Sequence, residues 1–267
     1  MRSNNLKQKW SQGKPAVLGW CSTGNPYLAE VLATIGYDGV VIDWQHGIGV
    51  TGSSVVSCIQ AIGNTDTTAL VRVPKNEPDY ISYVLDAGAY GVIVPMVNTF
   101  EEASAAGLST KYAPTGTRSI AANRETLTAT LDEYVVHANR EIICLVMIET
   151  VKALNNVEEI SQAPGIDGLY IGPSDLSLDM GISLTEWHSD PDHMQACKKV
   201  LDAAKANGII AGHHGAGPAE ANKLVDLGFM VSQLGNDVRL IKAASSDGLN
   251  SYLRNLSSEI VSKVKST

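Results

Sequence analysis

Five ionisable residues are spaced so that they could act together on one small molecule. Asp43 ends the apolar run GVVID (39–43), and His46 follows three residues later. Arg72 sits inside ALVRV (69–73), Glu149 follows IICLVMI (142–148), and Asp175 follows GLYIG (168–172) through a Gly-Pro-Ser-Asp turn. An Arg flanked by two valines in a strand must meet a partner or a polar cleft, because a buried, unpaired guanidinium is very costly. Singly, each of the others has a plain structural reading. A carboxylate at a strand end serves as readily as a helix cap or loop acceptor. Glu149 could simply favour the positive end of the helix that follows it, and Asp175 could cap a turn. As a set, the carboxylates, an Arg and a His point to an active site, provided the fold gathers the ends of those runs.

The residue types also divide the labour. Two carboxylates with no Cys or His cluster beside them suit a hard divalent ion, Mg²⁺ or Mn²⁺, with positions left for water and substrate. A 2-oxo acid can complete such a shell through its carboxylate and keto oxygens. The metal and Arg72 would then stabilise an enolate oxygen as charge develops. His46 suits proton transfer because its ordinary pKa lies near neutrality. Gly172-Pro173-Ser174 offers backbone N–H groups from Gly172 and Ser174 to a substrate carboxylate. No Lys falls within a predicted strand, which disfavours a Schiff-base aldolase. His213 and His214 follow a later strand and either reach the same place or are loop residues. His137, His188 and His193 show no spacing that suggests metal binding, and GHHGAG (212–217) matches no nucleotide-binding pattern.

The elements that must position these residues are short apolar runs separated by helical segments. Besides those above, they are AVLGWC (16–21), GVIVPM (91–96), GIIAG (208–212) and FMVSQLG (229–235). Continuous rather than alternating hydrophobicity predicts parallel strands covered on both faces. Helices are predicted from Pro26 to Ile35, Glu77 to Ala87, Phe100 to Leu108, Lys152 to Ser161, Pro191 to Ala206, Pro218 to Leu227 and Val238 to Lys265. Eight such alternations in 267 residues predict a (β/α)8 TIM barrel, one domain over 1–267, in preference to an open doubly wound sheet. The longest irregular stretches, about 110–128 and 173–190, are expected after strands four and six, where barrels build active sites.

Composition removes other classes. A net charge of −8 without a Lys/Arg cluster argues against nucleic acid. No window approaches the roughly 20 apolar residues of a membrane span, and the polar start lacks a secretory signal. Cys21, Cys58, Cys144 and Cys197 are scattered with no CxxC pair, so buried thiols in a reducing, cytoplasmic compartment are expected rather than a disulfide or zinc site.

At these residues the sequence resembles the HpcH/HpaI family of metal-dependent class II pyruvate aldolases. Those enzymes act on compounds such as 4-hydroxy-2-oxoheptanedioate, 2-keto-3-deoxyglucarate or 2-keto-3-deoxyrhamnonate. The matching segments are GNPYLAEVLATIGYDGVVIDWQHG, VRVPKNEPDYISYVLDAGAYGVIVPMVNTFEEA, KYAPTGTRS, LVMIET and GIDGLYIGPSDLSLDMG, in family order. The resemblance implies that Glu149 and Asp175 hold the metal, with Co²⁺ or Zn²⁺ as further options. It implies that His46 is the general acid or base and Arg72 the enolate-stabilising cation. It makes Asp86 the acid that raises the basicity of that His, Asp43 a further acidic neighbour, and Ser174 a backbone contact to the substrate carboxylate. It also implies a hexamer built from dimers that exchange the last helix. Two departures bear on the substrate. Met147 stands where the better-known aldolases have a Gln that contacts the oxo acid. Trp44-Gln45 replaces Gly-Glu, which is expected to narrow the mouth and removes a negative charge. The function implied is reversible cleavage of a 4-hydroxy-2-oxo acid to pyruvate, or a close 2-oxo acid, and an aldehyde. Oxaloacetate decarboxylation, or another C4-dicarboxylate lyase reaction at the same site, is the alternative. A non-catalytic metabolite-binding barrel stands third.

Overall fold

Strands buried on both faces can satisfy their backbone only through neighbours, and eight of them here close on themselves in chain order. In the computed structural model, which describes residues 2–121, 124–127, 129–215 and 217–254, they are β1 (Ala16–Cys21), β2 (Gly39–Asp43), β3 (Thr68–Arg72), β4 (Gly91–Val94), β5 (Ile143–Ile148), β6 (Gly168–Ile171), β7 (Ile210–His213) and β8 (Val231–Asn236). All pairings are parallel, and β8 returns to β1. This is a (β/α)8 TIM barrel, with each predicted strand in place, β1 and β2 at their expected bounds and the others within two residues at either end.

The helices are α1 (Asn5–Ser11), α2 (Pro26–Thr34), α3 (Gly52–Ile62), α4 (Pro78–Asp86), α5 (Phe100–Ser109), α6 (Leu131–Glu141), α7 (Val151–Asn155), α8 (Val157–Ile160), α9 (Pro173–Asp179), α10 (Pro191–Ala206), α11 (Pro218–Leu227) and α12 (Asp237–Arg254). Two cores result. Inside the barrel, Leu18, Trp20, Val41, Leu70, Ile93, Leu145, Met147, Tyr170 and Val231 pack together. Between strands and helices lies the larger layer of Val40, Ile42, Val71, Val92, Val146, Leu169 and their helical partners.

The structure departs from the sequence reading in several places. The polar start folds into α1, whose Leu6 is fully buried in the interior cluster and plugs the barrel's lower end. Helices α3 and α6 were not singled out by the sequence reading, yet both open on capping boxes, Thr51 with Ser54 and Thr130 with Glu133. Helix α4 starts one residue later than expected, with Glu77 at its N-cap position, and the preceding Asn76 side chain donates to the Glu102 carbonyl at 2.8 Å. The helix expected over 152–161 breaks at Asn156, whose side chain donates to the Asn98 carbonyl. Residues 173–179 are helical rather than irregular. The stretch about 110–128 follows α5, and Lys111 reaches the Ile142 carbonyl just before β5, so it lies at the end opposite the strand C-termini. Residues 255–265 of the expected last helix lie outside the described residues. No described helix is long and apolar enough to cross a membrane.

Candidate active site

Barrel register brings the first two residues together. Asp43 and Arg72 are paired positions at the C-terminal ends of β2 and β3. The Arg72 guanidinium donates to both Asp43 oxygens, from Nε at 2.9 Å and Nη2 at 2.6 Å, and lies 5.1 Å from the centre of the Trp20 ring. Trp20 Nε1 and the His46 backbone N–H donate to the same carboxylate. Burial alone would push Asp43 up; the Arg72 guanidinium outweighs it, with help from Trp20 and the His46 amide, and holds the carboxyl below its ordinary value. Asp43 thus orients Arg72 and anchors the loop carrying His46, while the His46 side chain itself is exposed.

Glu149 leaves the end of β5 and is 1% exposed. It does not cap α7, because Thr150 does so by accepting from the Ala153 N–H. Its Oε1 accepts instead from the Met96 N–H at 2.6 Å. Met96 holds a φ of 56°, a left-handed conformation uncommon outside glycine that aims this N–H. Burial raises the Glu149 carboxyl; the Met96 N–H and Arg72 oppose that, and the negative charge of Asp175 adds to it. Asp175 belongs to the first turn of α9 and is exposed. Gly172, at the entry to α9, is fitted against Glu149: a Cβ there would stand 2.5 Å from Oε2 and 2.9 Å from Met147 Cε. A buried carboxylate repelled by a second one has the donor set and charge that a hard divalent ion would satisfy. Glu149 and Asp175 therefore fit the metal.

Not every expected residue joins this group. Asp86 is the last residue of α4, and its Oδ1 accepts from Arg118 Nη2 at 2.8 Å. Helices run antiparallel to the strands they follow, so Asp86 sits at the opposite end of its own barrel from His46. The Trp44 ring packs edge-on to Tyr80 at 5.2 Å and beside Tyr83 at 5.7 Å, so it is committed to α4 rather than to narrowing the mouth. The Gly172 N–H donates to the Ile148 carbonyl at 3.3 Å and is not free for a carboxylate. The first-turn amides without an intrahelical acceptor belong to Ser174 and Asp175, since Pro173 has none. Met147 faces the barrel interior, paired across the sheet with Tyr170.

Beneath the mouth lies a layer that sequence reading marked only through His214, expected either there or in a loop; Trp20, Gln233 and Asp237 were not marked. His214 stands edge-on to Trp20 at 4.6 Å, and its Nε2 is 2.7 Å from Gln233 Nε2. Burial and the nearby Arg72 charge bring His214 down to about 3, so it is neutral at pH 7. The Gln233 Oε1 is buried with no hydrogen-bond partner among the described residues. His213, one residue earlier, faces the other way into the helix layer, as alternation along a strand requires. Asp237 closes the rim, accepting from the Ser22 and Thr23 amides and the Thr23 hydroxyl. Of these, only Trp20 and His214 carried a signal in the sequence: each is an aromatic or imidazole at a strand end.

A parallel barrel with a carboxylate pair, a clamped Arg and a His at its C-terminal rim has the make-up of a metal-assisted lyase. The family match places the chain within that class. Residues 17–244 match the family described as HpcH/HpaI aldolase/citrate lyase, and the chain belongs to it. It is 36% identical over 243 residues to a hydroxypyruvate/pyruvate aldolase of Rhizorhabdus wittichii, covering 91% of this chain and 96% of that one. It is 32% identical over 227 residues to a 5-keto-4-deoxy-D-glucarate aldolase of Klebsiella pneumoniae, covering 85% and 88%. The solved HpcH/HpaI aldolase of Desulfitobacterium hafniense superposes with a TM-score of 0.87 at 27% identity, over 96% of this chain and 99% of that one. The protein is an enzyme, a lyase that cleaves an aldol and depends on a divalent metal.

Proposed function

We propose that the enzyme reversibly cleaves a 4-hydroxy-2-oxo acid to pyruvate, or a close 2-oxo acid, and an aldehyde. The observation that carries this reading is the buried Glu149 carboxylate beside Asp175 and within the field of a clamped Arg72. Mg²⁺ or Mn²⁺, the metals favoured by two carboxylate donors, would supply Lewis acidity toward the keto oxygen when held by Glu149 and Asp175. Arg72, fixed in direction by Asp43, faces the enolate oxygen with a charge that needs no reorientation as the bond breaks. His46 takes the proton of the C4 hydroxyl while the C3–C4 electron pair moves into the enolate. The aldehyde leaves, and the same proton returns to C3 to give pyruvate, so the cycle neither gains nor loses a proton. The Ser174 and Asp175 amides receive the substrate carboxylate, and Met147 offers it a contact without a hydrogen bond. The relative named for pyruvate supports the product assigned here.

The assembly and compartment are part of the same proposal. Helix α12 leaves Val238, Ile241, Leu249 and Tyr252 half or more exposed, with only Asp237 buried among its residues. A helix with such a face suits exchange between subunits of a homo-oligomer. Four buried thiols suit a reducing cytoplasm. The test is pyruvate release from a panel of 4-hydroxy-2-oxo acids with Mg²⁺ or Mn²⁺, beside oxaloacetate under the same conditions. Metal-dependent pyruvate release from a hydroxy-oxo acid is expected. Turnover of oxaloacetate alone would overturn the substrate assignment.

A further inference from the structure

Behind β7, on the side away from the barrel axis, two imidazoles and a thiol converge that the aldol chemistry does not use. His193 and Cys197 are four residues apart on α10 and so share a face. His213 ends β7 and turns toward them. The two Nε2 atoms are 3.5 Å apart, and ligand atoms of both imidazoles and the Cys197 sulfur all lie within 4.8 Å of one another. All three side chains are buried, at 1%, 1% and 0% exposure in chain order. Trp187 covers them, with its ring 5.1 Å from that of His193 and 5.6 Å from that of His213.

The outer nitrogens are arranged as metal-bearing imidazoles require. His213 Nδ1 lies 3.1 Å from the His214 carbonyl, which can only accept, so the proton is on Nδ1 and the Nε2 lone pair points inward. His193 Nδ1 lies 3.1 Å from the Ser177 hydroxyl, which can accept that ring's proton and free its Nε2 likewise. Metal–nitrogen bonds of about 2.0–2.1 Å place two nitrogens roughly 3.3–3.6 Å apart in tetrahedral or trigonal geometry, which is the separation found.

Charge decides which ion. The set is two neutral imidazoles and one thiol, with no carboxylate among the three donors. Asp190 is felt by His193, but its Oδ1 is committed to the amides of Asp192 and His193 at the start of α10, and the Glu220 charge is felt by Cys197. A divalent ion bound to one thiolate would leave a net positive charge in a dry layer and would want a fourth ligand. A monovalent soft ion leaves the site neutral and accepts three ligands.

We propose that His193, Cys197 and His213 form a buried trigonal site for Cu⁺, separate from the hard-cation pair Glu149 and Asp175. Binding forms the Cu–S and two Cu–N bonds and releases the thiol proton to solvent, with no change of oxidation state. Helix α9 links the two centres, since it carries Asp175 on one turn and Ser177 next to His193.

The test uses the full metal-stripped chain, kept reduced, with Mg²⁺ in excess to fill the hard site, and a Cu⁺ chelator as competitor. One equivalent of copper should move to the protein, and X-ray absorption should show one sulfur and two imidazole nitrogens. Cys197→Ser, a near-isosteric change whose fold is checked by circular dichroism and aldol activity, should lose on the order of 100-fold in affinity. Glu149→Gln should keep it. Equal copper uptake by Cys197→Ser, a shell without sulfur, or retention of all copper by the chelator would overturn the proposal. So would tighter one-to-one binding of Zn²⁺ than of Cu⁺ at the same three residues.

Discussion

Replacing Gly172 with alanine should weaken metal binding without unfolding the barrel. The backbone at Gly172 has φ −95° and ψ 90°, which alanine can adopt, so the cost is steric. The added Cβ would meet Glu149 Oε2 at 2.5 Å and Glu149 Cβ at 3.0 Å. Since relaxed heavy-atom contacts lie near 3.5 Å, the carboxylate must retreat by roughly 0.5–1 Å. It cannot swing far, because Oε1 is held by the Met96 N–H and the side chain is buried. Coordination geometry tolerates only about 0.2 Å. A loss of roughly 10–100-fold in metal affinity follows, about 1.4–2.7 kcal/mol. The assay is the Mn²⁺ dependence of pyruvate release, paired with direct titration of free Mn²⁺ by electron paramagnetic resonance. A folded Gly172→Ala protein with the parent's Mn²⁺ midpoint would mean that Glu149 does not hold the ion.

Asp43→Ala leaves the Arg72 guanidinium buried and unpaired, so denaturant unfolding should show a loss of about 3–5 kcal/mol; a cost below about 1 kcal/mol would contradict the clamp. His46→Ala should lower cleavage by roughly 10²–10⁴-fold, with an unchanged melting temperature because the side chain is exposed. Wild-type turnover in that variant would remove His46 from the mechanism. His213 and His214 are each lowered to about 3 by burial first, while in the unfolded chain they titrate near 6.5. The unfolded state therefore binds more protons between those values. Stability of the metal-free protein should be full above 6.5 and fall toward 3, by up to roughly 1.4 kcal/mol per pH unit for each imidazole. A flat stability profile from pH 7 to 5 would show that they are not buried neutral.

Much of this arrangement could be read from the residues because burial on both faces leaves a continuous apolar signature. The runs from AVLGWC to FMVSQLG located every strand, and an Arg inside ALVRV could only be there for a partner. Direction was harder to read. Trp44 follows Asp43 at the rim, but whether its ring turns to the axis or to α4 depends on Tyr80 and Tyr83, a full element away. Asp86 came only from family likeness, and its partner Arg118 lies in a stretch with no periodicity to reveal where it returns. The break at Asn156 is fixed by a carbonyl from the β4 connection, a tertiary contact that no helical pattern contains. His213 and His214 were legible only as residues near a strand end, and His193 showed no metal-like spacing on its own; its grouping with Cys197 and His213 depends on β7 packing against α10, which local spacing does not contain.

The plug helix has a consequence for how the chain reaches this state during synthesis. Everything that fixes α1 comes later in the sequence: the Asn4 N–H donates to Glu141 Oε2 at 2.7 Å, its side chain donates to the Tyr90 and Glu141 carbonyls, and Lys7 pairs with Asp167 at 2.6 Å. Seven residues are too few for a helix to persist alone in water. α1 therefore emerges before the elements that hold it: Lys9 finds Asp38 ahead of β2, but the anchors at Glu141 and Asp167 are missing until the chain has grown past β5. The order of translation and the order of closure run opposite ways at this end of the barrel, so α1, made before the strands it plugs, is among the last elements to be fully fastened.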